Sequence, residues 1–294
     1  MAFGQGDYTY DYHTDWAKLD SAYHEGWIPG VACDSQDRVF IYSRSEKPLN
    51  VYNPAGEHLA TWGEGVLNSD YAHGIFIDKD DNVFVTDAND HAVYKFSPTG
   101  DLLLTIGTPG QVGVDEGSPF NRPTDIAVSS NGDIIVSDGY GNHHIHRYTA
   151  SGEHIRTWGG EGSGPGQFTI SHTVRIDAQD RIWDCDRENG RIQIFDLEGN
   201  FLSDWTELLR PNNIFIDDDA GILYIAELGR RISIWNIATR ELLSSWGGGG
   251  EPSDVPGEFK GGPHGIWVDS HGDIYAGEVE RGEEGTMHKY VRRR

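Results

Sequence analysis

Three histidines recur at one place in a repeated pattern. His73 opens His73-Gly74-Ile75-Phe76-Ile77-Asp78, His172 opens His172-Thr173-Val174-Arg175-Ile176-Asp177, and His264 opens His264-Gly265-Ile266-Trp267-Val268-Asp269. Each apolar run is followed by a polar turn and a second apolar run. A single strand-initial histidine is well explained by a hydrogen bond to a loop. Three at the same position ask for a shared job. Three imidazoles that face one axis and leave a fourth position for water or substrate form the ligand pattern of a catalytic zinc.

A second set of residues falls where the next apolar run of each repeat ends: Ser43-Arg44, Asp87-Ala88, Asp138-Gly139-Tyr140, Asp186-Arg187, Glu227 and Glu278. Arg44 and Arg187 occupy matching places. Two guanidiniums near a common axis suit a carboxylate ligand, because arginine offers a planar bidentate fork; the plainer alternative is pairing with a neighbouring acid. Tyr140 could be ordinary turn packing, but beside a metal and arginines its phenol could ionise and act as a base. The acids at this position are read as braces that accept backbone N–H bonds. His143, His144 and His146 fall on a turn and an outer strand and are read as solvated surface.

Internal repeats position all of these groups. Units of about 40–50 residues, each with four short apolar runs, read as propeller blades. Blade one begins at Gly30, blade two at His73, blade three at Pro123, blade four at His172, blade five at Pro211 and blade six at His264. Asp- and Asn-rich turns such as Asp78-Lys79-Asp80-Asp81-Asn82 divide the first two strands, since these residues tolerate left-handed backbone. Aligned on that turn, the histidine position holds Pro29, His73, Thr124, His172, Asn212 and His264, so histidine alternates around the ring. Blade six lacks an outer strand, and Tyr8 to Trp16 could supply it, removing two sheet edges. The expected architecture is an all-β, six-bladed propeller of four strands per blade, one domain over 1–294, with 1–28 as the closing segment and 29–294 as the blades. Gly- and Pro-rich linkers at Thr108–Asn121, Gly160–Phe168 and Gly247–Gly262 should lie over one face.

Composition narrows the function classes. The 294 residues carry a formal charge of −24, with 38 Gly, 9 Trp and 13 Tyr. Such a surface repels phosphate backbones and anionic lipid, so no nucleic-acid or membrane partner is expected. A monomer acting on a small-molecule or peptide carboxylate is expected instead. Cys33 and Cys185 lie inside apolar runs and read as buried packing residues, not a disulfide framework. The first residues show no basic stretch followed by an apolar core, which points to a cytoplasmic chain.

Much of the sequence resembles NHL-repeat propellers, as in Asp186-Arg187-Glu188-Asn189-Gly190-Arg191-Ile192-Gln193-Ile194-Phe195. With His73-Gly74-Ile75, Pro123 to Val128, Ser137 to Asn142, Pro165 to Phe168 followed by His172, and Pro263-His264, the resemblance narrows to the peptidyl-α-hydroxyglycine α-amidating lyases, over roughly residues 29–290. That family splits N-acyl-α-hydroxyglycine into an amide and glyoxylate at a zinc site. The resemblance implies zinc on His73, His172 and His264, a catalytic Tyr140, and active-site arginines at Arg44 and Arg187. The family's structural calcium would use the carbonyls at Val31 and Ile75, but its Asp ligand falls on Gly265, which leaves that site one ligand short. The disulfides of secreted members are absent, so the substrate could be another carbinolamide, such as a hydroxyglycine conjugate or a ureidoglycolate-like compound.

Two other readings use the same sequence. A metal-dependent propeller lactonase would recruit Asp87, Asp138, Asp186, Glu227 and Asn212 around calcium, because hard calcium wants oxygen where imidazole favours zinc. A non-enzymatic NHL scaffold would have no need for histidines in alternate blades.

Overall fold

Short alternating apolar runs separated by tight turns fold as antiparallel hairpins, and every repeat in this chain does so. The computed structural model describes residues 1–17, 26–68, 70–113, 120–248, 250–280 and 285–294; linker residues 114–119 and 249, and part of the N-terminal closing segment, lie outside the described residues. The fold is all-β, a six-bladed propeller of antiparallel sheets. The described residues form two compact units, Met1–Glu64 with Asn212–Arg294, and Gly65–Pro211.

The unit Gly65–Pro211 holds blades two, three and four, each a four-stranded meander. The first strands are Ala72–Ile77, Asp125–Val128 and Ser171–Ile176. The second strands, Val83–Asp87, Ile134–Asp138 and Ile182–Asp186, are buried along their whole length. The apolar starts of Val83–Asp87 and Ile134–Asp138, Val-Phe-Val and Ile-Ile-Val, are what burial on both faces demands. The fourth strand of blade three, His154–Gly159, is largely exposed and carries Arg156. Asp78 shows how the turns work. Its Oδ1 accepts the backbone N–H groups of Asp80 and Asn82 at 2.9 Å each, and Asp81 takes a positive φ of 60°. Asp177 repeats the device toward Gln179 and Arg181.

The other unit holds blades one, five and six. Blade six is completed from the N-terminus: Tyr8–His13 pairs antiparallel with Thr286–Arg292, with Tyr12 opposite Tyr290. One feature exceeds the sequence expectation. Ala2–Gln5 folds back on Tyr8–His13 and makes this sheet five-stranded. Gly4 and Gly6, both at positive φ, shape the reversal. Aromatic packing secures the closure. Phe3, Tyr12 and Trp246 pack on the fully buried Tyr290, with ring centroids 5.0 Å apart for Trp246 and Tyr290 and 5.5 Å for Phe3 and Tyr290. Each such pair contributes about 0.5–1.5 kcal/mol beyond its buried area.

Candidate active site

The three histidines sit on first strands, and each strand is irregular at that spot. In blade two the register jumps between Ala72 and Ile75, in blade four between Ser171 and Val174, and in blade six between Pro263 and Gly265. The first strands of blades one and three, which lack the histidine, pair without a shift. A bulge inserts an extra residue and re-aims a side chain out of the pleat. The bulge thus accompanies the histidine in blades two, four and six.

Blades without a histidine at this position brace those that have one. The Thr124 carbonyl accepts the Nδ1–H of His73 at 2.6 Å, and the Thr124 hydroxyl donates to the Ser171 carbonyl, beside His172, at 2.8 Å. In the other unit, the Pro29 carbonyl accepts Nδ1–H of His264 at 2.8 Å, and the Asn212 amide donates to the His264 carbonyl at 2.8 Å. A backbone carbonyl on Nδ1 fixes the tautomer with its lone pair on Nε2, the arrangement that metal-binding imidazoles use. His73 and His172 in one unit, and His264 in the other, are all buried. Imidazole nitrogens of fixed tautomer, as at His73 and His264, suit a zinc-type ion better than an oxygen-seeking one.

Tyr140 meets two of these imidazoles. Its phenol oxygen lies 2.9 Å from Nε2 of His73 and 3.2 Å from Nε2 of His172, whose ring centroids are 4.8 Å apart. Gly139 makes the approach feasible, because a Cβ there would overlap the Ser171 carbonyl. Arg187, buried at the start of a short 3-10 turn, donates from Nη1 to the phenol oxygen at 3.5 Å and from Nε to Glu188 at 2.8 Å. Burial works to raise the Glu188 carboxyl, but Arg210 and Arg187 outweigh it and hold it below the usual carboxylate range. Arg122, which the sequence reading did not single out, places its guanidinium carbon 5.4 Å from the Tyr140 ring centre and 4.7 Å from that of Tyr71.

Arg44 belongs to the other unit. It is half-buried, with its guanidinium carbon 5.2 Å from the centre of the Trp27 ring. The expected calcium ligands do not fit that ion. The Ile75 carbonyl accepts Nη2 of the buried Arg175 at 3.4 Å, so a guanidinium already faces it. A Cβ on Gly265 would stand 2.8 Å from the Pro29 carbonyl, too close for a side chain to grow there without a shift.

The acids at the second-strand ends are braces, as their positions imply. Asp87 accepts the amides of Asn89 and Asp90, Asp138 that of Asn121, Asp186 that of Thr169, and Glu278 that of Gly261. Cys33 and Cys185 are buried free thiols. His146 corrects the surface reading. It is buried and bonded to Thr157 at 2.8 Å, with Asp138 at 3.4 Å, because the third strand turns that side chain inward.

Sequence reasoning missed Arg122, Tyr71, Trp27 and the braces Thr124, Pro29 and Asn212. The braces were visible in the alignment of the histidine position but read only as absences of histidine. Arg122 precedes Pro123 in the loop that leads into blade three, outside the strand ends that carry the other arginines.

Comparison with known proteins adds a relationship. An NHL repeat profile matches residues 120–148. The chain is 33 % identical over 137 residues to NHL repeat-containing protein 3 of Homo sapiens, covering 44 % of this chain and 40 % of that protein. It is 32 % identical over 218 residues to peptidyl-alpha-hydroxyglycine alpha-amidating lyase 1 of Drosophila melanogaster, covering 65 % of this chain and 38 % of that protein. The chain thus spans two fifths or less of the length of these relatives. A streptogramin B lyase structure superimposes with a TM-score of 0.62 at 15 % identity, over 100 % of this chain and 88 % of that one, a likeness of fold alone. No described helix is long and apolar enough to cross a membrane.

Proposed function

We propose that this chain, a homologue of the peptidyl-α-hydroxyglycine α-amidating lyases, is a carbon–nitrogen lyase that cleaves an N-acyl-α-hydroxyglycine to an amide and glyoxylate, with zinc on His73, His172 and His264. The observation that carries this is the sharing of the Tyr140 phenol between Nε2 of His73 and Nε2 of His172, with Arg187 beside it. A scaffold has no use for a phenol held against two imidazoles of fixed position. The lactonase reading loses ground because Asp87, Asp138 and Asp186 are committed to backbone amides, and Glu227 to Arg231 and Ser233.

Zinc bound there would make the substrate's hydroxyl more acidic. Tyr140, as phenolate steadied by Arg187, takes the hydroxyl proton. The carbon–oxygen double bond of glyoxylate forms as the carbon–nitrogen bond breaks, and its electron pair goes to the amide nitrogen. That nitrogen takes the proton back from Tyr140. Arg44 serves the carboxylate end of the substrate. The substrate is a small or peptidic carboxylate handled by a monomer, with neither nucleic acid nor membrane involved. The two free thiols support a reducing, cytoplasmic setting.

The test joins metal analysis to a glyoxylate-release assay on a small N-acyl-α-hydroxyglycine. About one zinc per chain with glyoxylate formed supports the reading. Zinc without glyoxylate moves the search to other carbinolamides. A protein that takes up no metal sinks it.

A further inference from the structure

Five of the buried or half-buried arginines in this acidic chain are matched to acids: Arg175 to Asp125, Arg191 to Asp186, Arg231 to Glu227, Arg147 to Asp133 and Arg187 to Glu188. Arg122 differs. Among the described residues no carboxylate stands within ion-pair distance of it, and its Nε is buried with no hydrogen-bond partner. A donor stripped of water and given no acceptor is costly to leave in a fold. The position is nevertheless closely defined. The Arg122 backbone sits at a φ of 66°, its N–H donates to Nδ1 of His91 at 3.0 Å, and its guanidinium lies between the Tyr71 and Tyr140 rings. Burial lowers the His91 pKa, in keeping with a neutral imidazole that accepts this bond.

We infer that Arg122 binds the carboxylate of the substrate, and so makes the site selective for carbinolamides that carry one. This rests on the lyase reading above and adds a residue to it. A carboxylate takes a guanidinium side-on, through Nε–H and one Nη–H in parallel. Arg122 keeps that Nε–H unspent. Arg187 cannot offer the same fork, because its Nε is given to Glu188 and its Nη1 faces the phenol. The two arginines around Tyr140 therefore divide the work: Arg187 holds the phenol oxygen, and Arg122 holds the substrate's anion across the same ring.

The experiment compares two substrates that release the same amide, N-benzoyl-α-hydroxyglycine and N-(hydroxymethyl)benzamide, which lacks the carboxylate. In Arg122→Gln the kcat/KM ratio favouring the carboxylate substrate should shrink about 10- to 100-fold, through KM more than kcat. Arg122→Lys, which keeps the charge and loses the fork, should fall between and serves if the Gln variant does not fold. A structural role would lower both substrates together and leave the ratio intact, and that result overturns the inference. If the wild-type chain releases no glyoxylate, the lyase reading fails by itself. Calorimetry with N-benzoylglycine, which needs no turnover, then decides the role of Arg122. Binding weakened tenfold or more in Arg122→Gln upholds it; equal binding, or none to the wild type, overturns it.

Discussion

The phenol oxygen of Tyr140 and Nε2 of His73 lie 2.9 Å apart, although the residues are 67 positions distant and belong to different blades. General acid–base groups contribute about 10²- to 10⁴-fold. Tyr140→Phe should lower glyoxylate release by that order while the protein keeps its full metal content. Near-normal turnover in this variant would remove Tyr140 from the chemistry.

Metal and fold should be linked through the histidines. A bound ion stabilises the folded state by about 3–4 kcal/mol at concentrations 100- to 1,000-fold above its Kd. Treatment with a chelator should therefore lower Tm by several degrees, and zinc should restore it. His172→Ala should show the lower Tm from the start and gain nothing from added zinc. Calcium at millimolar concentration should move Tm by less than about 1 °C, since Arg175 already faces the Ile75 carbonyl.

Thr124 should matter without touching substrate. Its hydroxyl bridges to the Ser171 carbonyl at 2.8 Å and lies 2.8 Å from the Ser137 hydroxyl, and all three residues are buried. Thr124→Val keeps the shape and strands those partners, at a cost of about 1–3 kcal/mol in urea unfolding. Zinc affinity should also weaken, because the hydroxyl brace beside His172 is lost while the carbonyl that holds His73 remains. An unchanged unfolding midpoint would show the bridge to be dispensable.

The alternation of histidines was legible because it is a regularity of residue type at one repeat position. The blades were legible for the same reason, with Gly30–Cys33 through His58–Trp62 falling where the apolar runs are. The braces were not. Thr124 acts through its carbonyl as well as its hydroxyl, and Pro29 through its carbonyl alone, so residue type says little about either role. Arg122 was hidden because its meaning lies in what it lacks, an acid partner, which only three-dimensional neighbours reveal. The bulges at His73, His172 and His264 were equally silent, since one extra residue in a short strand leaves the apolar alternation almost intact. The strand Ala2–Gln5 escaped notice because four residues carry too little pattern to read.

Asp87 supplies a pH test. It is fully buried, and burial pushes its carboxyl from 3.8 up to about 6, against partial relief from the Asp90 and Asn89 amides. The folded chain then holds this proton more tightly than the unfolded chain does. Its contribution is fully present below about pH 4 and is lost as pH rises through 6, up to roughly 3 kcal/mol. Asp87→Asn should show a flatter decline than the wild type between pH 4 and 7 in urea midpoints. Parallel declines would mean that Asp87 does not titrate in that window.

The pairing of Tyr8–His13 with Thr286–Arg292 has a consequence for synthesis. Tyr8–His13 finds its partner only when the blades that lie between the two strands in sequence have been made. Until then Tyr10, Tyr12 and the edge they belong to stay uncovered, while the middle blades can already form from local hairpins. Closure is a late, long-range event, and such contacts are the slow ones in folding. Newly made chains should thus be most vulnerable to aggregation and proteolysis in the interval before Thr286–Arg292 arrives.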